Sequence, residues 1–274
     1  MSSFRLALGM SAFLFCAAAQ EAPPQSPAAP TRPPTPEHPN GDYYADRFLC
    51  PGDIPVDARR GTMKIDSNSR QVDAMVYVPR GQMNGAAIVM MHGARGLRST
   101  LPVYDPRALQ LASHGYVVVM PQYYDATGGD GDRGGRNLDR WRDVADDAVA
   151  KVRQIPGVDP NRIGVWGFSL GGWLAAEAAM SHDSLRSAVA VSAGTDVSPP
   201  KYGRRQVPIL MINARGDPVI SWGSSQEFAR DLRARGAEVD SRQLDSREHL
   251  FELPLQCQTF DWTLEFFDRT LRAP

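Results

Sequence analysis

Cysteine is scarce: three occur in 274 residues, at positions 16, 50 and 257. None has a second cysteine nearby, which excludes the closely spaced pairs of zinc and redox motifs. A surplus of charge is also missing, since 30 basic side chains face 31 acidic ones for a formal net charge of −1. Such a balance gives no electrostatic footprint for nucleic acid, an anionic membrane surface or a polyanionic substrate. No apolar stretch reaches the roughly 20 residues needed to span a bilayer. Large apolar residues are absent altogether between Glu21 and Asn40, where proline recurs instead. A segment of that kind cannot bury enough surface to offset its ordering entropy.

What is present begins with a short basic start, Met1 to Arg5, an apolar run from Leu6 to Cys16, and the small residues Ala17-Ala18-Ala19. This order reads as a cleaved secretory signal. The apolar run is too short for the alternative of a membrane anchor, and bulky Phe15 disfavours acylation of Cys16. The expected organisation is a signal peptide over 1–19, a proline-rich tether over 20–42 and one folded domain over 43–274. The expected location is periplasmic or secreted, with no stable membrane insertion after cleavage. In an oxidising compartment the two remaining cysteines, Cys50 and Cys257, suggest one bridge tying the N-terminal arm to the last helical region. The alternative is two unrelated buried thiols.

From Tyr43 onward, apolar strand-like runs alternate with helix-length segments. Met63 to Asp66 and Gln71 to Pro79 read as an antiparallel pair. Ala86 to Met91, Tyr116 to Pro121, Arg162 to Phe168, Ala188 to Ser192, Val207 to Asn213 and Glu238 to Leu244 read as further strands. Helices are expected near Pro106–Ser113, Leu138–Gln154, Leu170–Met180, Ser224–Arg235 and Gln258–Leu271. Continuous apolar runs suit strands buried on both faces. Their alternation with helices predicts right-handed crossovers and an α/β fold: a mostly parallel twisted sheet with helices on both faces. In such sheets, sites lie beyond the carboxyl ends of the strands.

Gly167-Phe168-Ser169-Leu170-Gly171 stands at such an end, between an apolar strand and an alanine-rich helix. A G-x-S-x-G pentapeptide in that context presents its serine on a tight strand-to-helix turn. The backbone N–H of Leu170, at the helix start, is then free to meet a developing oxyanion. A serine nucleophile needs a base and an orienting acid, in the chain order Ser, Asp or Glu, His. Of the two histidines after Ser169, His182 falls at the far end of the elbow helix, which leaves His249. Asp217, past the strand from Val207, is the acid candidate, and Asp196 is its rival. The loop after Met91 is expected to give the second oxyanion donor, assigned to the Ala94 N–H. His92 reads as a packed, hydrogen-bonded residue, and Arg95 as a contact for an anionic substrate group. Tyr123 to Arg136 is rich in glycine and aspartate but lacks EF-hand spacing, so no metal is expected. It reads as a mobile loop over the site, with Tyr123 and Tyr124 lining the pocket.

Together these motifs resemble the dienelactone hydrolase family, from about Val76 to Phe266. The resemblance is carried by His92-Gly93 with Gly96-Leu97, Ala112 to Val118 before Pro121, the Gly167–Gly171 elbow, Gly216-Asp217 and His249. It implies a single α/β-hydrolase domain without metal or organic cofactor that hydrolyses small esters or lactones. The founding members of that family carry a cysteine nucleophile and a glutamate soon after the central strand. Ser169 and Gly93-Ala94 stand at those places here, which favours a general carboxylesterase acting on a small-molecule ester. Two other readings compete: a peptidase resembling the prolyl oligopeptidase catalytic domain, and a non-catalytic binding protein of the same fold.

Overall fold

A computed structural model describes residues 50–129, 131–132, 135–195, 197 and 201–272. The expected signal peptide and tether, the start of the expected domain, and Asp196 lie outside the described residues. Two ten-residue strands, β1 (Ala58–Ser67) and β2 (Arg70–Pro79), form an antiparallel hairpin. The remaining strands are β3 (Ala87–Met91), β4 (Val117–Pro121), β5 (Ile163–Phe168), β6 (Leu185–Val191), β7 (Pro208–Ala214) and β8 (Glu238–Leu244). All eight join one sheet in the order β1-β2-β4-β3-β5-β6-β7-β8. β2 meets β4 antiparallel, and every pairing from β4 through β8 is parallel.

Among the described residues the α-helices are α1 (Leu97–Ser113), α2 (Gly135–Val152), α3 (Leu170–Ser181), α4 (Trp222–Ala234) and α5 (Leu253–Phe267). They divide between the two faces because each central strand carries apolar side chains on both. Val89, Val165, Ala188 and Ile209 pack beneath α2, α3 and α4 through residues such as Trp141, Trp173 and Phe228. Ile88, Val118, Val189 and Leu210 face α1 and α5 through Leu109, Phe260 and Phe267. Side chains alternate between faces along a strand, so one continuous apolar run supplies both halves of the core. Burying each large side chain contributes about 1.5–3 kcal/mol.

The first helix departs from expectation. It starts at Leu97 rather than near Pro106, and it carries Pro102 and Pro106 inside it. The hydroxyls of Ser99 and Thr100 donate back to the Gly96 carbonyl at its first turn. Cys50 and Cys257 are joined in a disulfide, with Cα atoms 5.4 Å apart. The bridge fastens the start of the described chain to α5. Arg107 of α1 joins the same knot, pairing with Asp53 at 2.9 Å and lying over the Phe260 ring at 4.9 Å.

Candidate active site

The carboxyl end of β5 runs into α3 through a single residue, Ser169, whose φ of 55° and ψ of −119° fall where L-residues rarely sit. Such a conformation costs on the order of 1–3 kcal/mol and persists only where the surroundings enforce it. Here they do. A Cβ on Gly167 would stand 1.9 Å from the Gly171 carbonyl oxygen, and one on Gly171 would stand 2.1 Å from that of Met91. The two glycines let strand, turn and helix pass at backbone contact. The Ser169 N–H donates to Val191 O at 2.8 Å, which pins the turn to β6.

His249 lies in the loop between β8 and α5, and Asp217 follows β7. Asp217 Oδ2 is 2.8 Å from His249 Nδ1, and His249 Nε2 is 2.9 Å from Ser169 Oγ. Asp217 Oδ1 accepts the N–H groups of Val219 and Ile220 at 2.8 and 3.0 Å. Burial pushes the Asp217 carboxyl upward. The His249 hydrogen bond, the two backbone N–H donors and the histidine charge outweigh it and hold the group below the ordinary carboxylate range. An ionised carboxylate only accepts hydrogen bonds, so Nδ1 carries the ring proton and Nε2 turns its lone pair to the serine hydroxyl.

Leu170 is the first residue of α3, where a helix has amides without helical acceptors. Ala94 is exposed in the loop between β3 and α1. The preceding carbonyl, that of Gly93, is held by His92 Nδ1 at 2.8 Å and by the Gly96 N–H at 3.0 Å. In a trans peptide the C=O and the following N–H point in opposite directions. Holding the Gly93 oxygen therefore aims the Ala94 N–H the other way. Burial pushes the His92 imidazole down to about 4, against the upward pull of its hydrogen bonds with Gly93 and Gln122. It is neutral and donates from Nδ1, which agrees with its reading as a packed residue.

Tyr123 and Tyr124, expected along the pocket wall, are instead both buried. Tyr123 is fully buried, stacked on the His92 ring at 3.8 Å, and its hydroxyl donates to His92 O at 2.8 Å. Tyr124 donates to Ala94 O at 2.9 Å and packs on Trp141. The run after Pro121 turns inward as a short 3₁₀ turn, Tyr123–Thr127, which puts both hydroxyls on the loop after β3. Arg95 is exposed. Among the described residues, no group of three or more His, Cys, Asp or Glu could hold a metal.

Two supports went unseen in the sequence. The Tyr104 hydroxyl accepts the Gly93 N–H at 3.0 Å, and Gln122 Oε1 accepts the Leu97 N–H at 2.9 Å. Neither residue belongs to a motif, and only the fold brings them to the loop.

The dienelactone hydrolase family profile matches residues 72–256. The chain belongs to the dienelactone hydrolase family. Within it, this member is 22% identical to a putative carboxymethylenebutenolidase from Aquifex aeolicus over 224 residues, 72% of this chain and 93% of that protein. It is 28% identical to a bis(hydroxyethyl) terephthalate hydrolase from Streptomyces coelicolor over 197 residues, 68% of this chain and 60% of that one. A thiohydrolase from Aspergillus aculeatus is 30% identical over 113 residues, 40% of this chain, and is spanned over only 35% of its length. By structure, acylaminoacyl peptidase from Pyrococcus horikoshii superposes with a TM-score of 0.67 at 17% identity, over 85% of this chain and 44% of that one. That likeness is one of fold, the α/β-hydrolase fold. The chain is thus a hydrolase-family member on an α/β-hydrolase scaffold.

Proposed function

We propose that the protein is an exported serine hydrolase that cleaves small carboxylic esters or lactones through an acyl-enzyme. The observation that carries this reading is the unbroken chain of short hydrogen bonds from Asp217 through His249 to Ser169. In the first half-reaction, Ser169 Oγ bonds to the ester carbonyl carbon as His249 Nε2 takes the hydroxyl proton. The carbonyl oxygen, now anionic, meets the N–H groups of Leu170 and Ala94. The tetrahedral species collapses, the C–O bond to the alcohol breaks, and His249 returns the proton to the leaving oxygen. Water then repeats the sequence against the acyl group and frees Ser169. Asp217 keeps the imidazole in the tautomer that can accept.

The likeness to a putative carboxymethylenebutenolidase and to a bis(hydroxyethyl) terephthalate hydrolase supports the ester over the amide as target. Ser169→Ala is expected to abolish both turnover of p-nitrophenyl acetate and labelling by a fluorophosphonate probe, with circular dichroism unchanged. Asp217→Asn is expected to lower kcat on the order of 10⁴-fold near neutral pH with little change in KM. More than a tenth of wild-type activity in the Ser169 variant would remove it as nucleophile. A wild-type protein unlabelled by the probe would favour the binding-protein reading.

A further inference from the structure

On a central strand of a covered sheet every side chain is expected to be buried. β5 breaks this rule on one face: Trp166 and Phe168 are both partly exposed, while Ile163, Val165 and Gly167 are not. The cause lies one step back along the same face, at Gly164. A Cβ there would stand 2.7 Å from the Phe267 ring and 2.9 Å from Leu271, so the end of α5 rests directly on the strand. Further along, α1 and α5 stand on either side of an opening, although Arg107 of α1 still lies over the Phe260 ring of α5. Between them lies a cleft of about 60 Å³, open to solvent and walled by Val103 from α1, Phe260 and Thr263 from α5, and Trp166 and Phe168 beneath. The strand is covered at Gly164 and partly exposed at Trp166 and Phe168, toward the end that carries Ser169.

Its walls are continuous with the site. Phe168 directly precedes Ser169, and its ring centroid lies 5.1 Å from that of His249. Leu250, directly after His249, lines the mouth. Leu250 and Val219 are also the two large hydrophobic side chains left exposed among the described residues, at 43% and 59%. Each stands within two residues of a member of the hydrogen-bonded chain. Isolated exposed apolar residues are ordinary. Leu250, which follows His249 and also lines the cleft, joins the apolar walls to the hydrogen-bonded chain.

We infer that the α1–α5 cleft binds an unbranched alkyl chain of the substrate, so that the enzyme is selective for esters with a long apolar arm; this inference rests on the ester-hydrolase reading above. The cleft offers apolar walls, and its cation, Arg107, is already paired with Asp53. An apolar chain therefore suits it and an acidic group does not. The chain can arrive on either side of the scissile bond, as the acyl or the alcohol group.

Two series of esters distinguish these sources: p-nitrophenyl esters with acyl chains of increasing length, and acetates of alcohols of increasing length. In one series kcat/KM is expected to rise by up to about fourfold per methylene until the cleft is full. Val103→Trp, which fills the cleft from α1, is expected to cut the long-to-short ratio in that series at least tenfold. Thr263→Leu, a smaller intrusion from α5, serves if the tryptophan variant fails to fold and is expected to lower the same ratio severalfold. No chain-length preference in either series of the wild type, or a ratio within twofold of it in the folded variants, would overturn the inference. Short esters would still be hydrolysed in that case. Failure of the ester-hydrolase reading is told apart by the absence of turnover on every ester, long or short, and it takes this inference with it.

Discussion

Gly93 offers one carbonyl oxygen to two donors, and one of them is a histidine side chain. If the Ala94 N–H stabilises an oxyanion, His92 acts as a positioning residue through that carbonyl. His92→Phe keeps a ring to stack on Tyr123 and removes the donor. It is expected to lower kcat on the order of 10-fold to 100-fold, below the roughly 10²–10³ for outright loss of an oxyanion donor, with KM nearly unchanged. A structural role alone would not divide kcat from KM in this way. The same residue predicts a pH effect on stability. With the folded imidazole down at about 4, the unfolded chain binds a proton between about pH 6.5 and 4 that the folded chain refuses. Its contribution is therefore full above pH 6.5 and is lost as pH falls toward 4, on the order of 3 kcal/mol. Urea midpoints across that range should fall more steeply for the wild type than for His92→Phe. Asp217 has the depressed-carboxyl sign, so its contribution holds above the unfolded carboxyl value and fades only in stronger acid.

At the scale of elements, the elbow is a meeting of three backbones at glycine. Gly171→Ala would drive a methyl group to 2.1 Å from Met91 O, where neither strand nor helix can yield. We expect a loss above about 4 kcal/mol or no folded protein, a range reserved for severe core strain. Gly223→Ala is the control: it stands in α4 with only Ser221 Oγ near, at 3.9 Å, and should raise stability by about 0.5–1 kcal/mol. Thermal melting of the two variants checks both. The elements were largely legible in the sequence because buried strands must be apolar on both faces, as Ala87–Met91 and Val117–Pro121 are. The start of α1 was not legible. Pro106 reads as a first-turn residue, and only packing on the sheet keeps one helix continuous through two prolines. The polar chain from Asp217 to Ser169 could be placed because its order along the sequence is constrained. The turn of Tyr123 and Tyr124 toward the core could not, since their partners, His92 and Ala94, lie 31 and 30 residues away. The α1–α5 cleft left no sequence signal, being a space between helices rather than a pattern within one.

For the whole molecule, the Cys50–Cys257 bridge closes a loop with a sequence separation of 207 residues. Chain-entropy arithmetic gives such a loop about 5 kcal/mol, and measured native bridges contribute about 2–5 kcal/mol. Cys257→Ser should lower the unfolding free energy read from a urea titration by an amount in that range, and reductant should then change it no further. The knot also holds the two cleft walls, since Arg107 of α1 and Phe260 of α5 meet beside it. The bridge has a mechanical consequence too. A chain stretched from its two ends transmits load across the bridged sulfurs, bypassing the sheet. The segment between them, a sequence separation of 207 and roughly 700 Å of contour at about 3.4 Å per residue, stays hidden from the force. In an optical trap the oxidised protein would lengthen only by its flanking segments, and a thiol added to the buffer would release the rest.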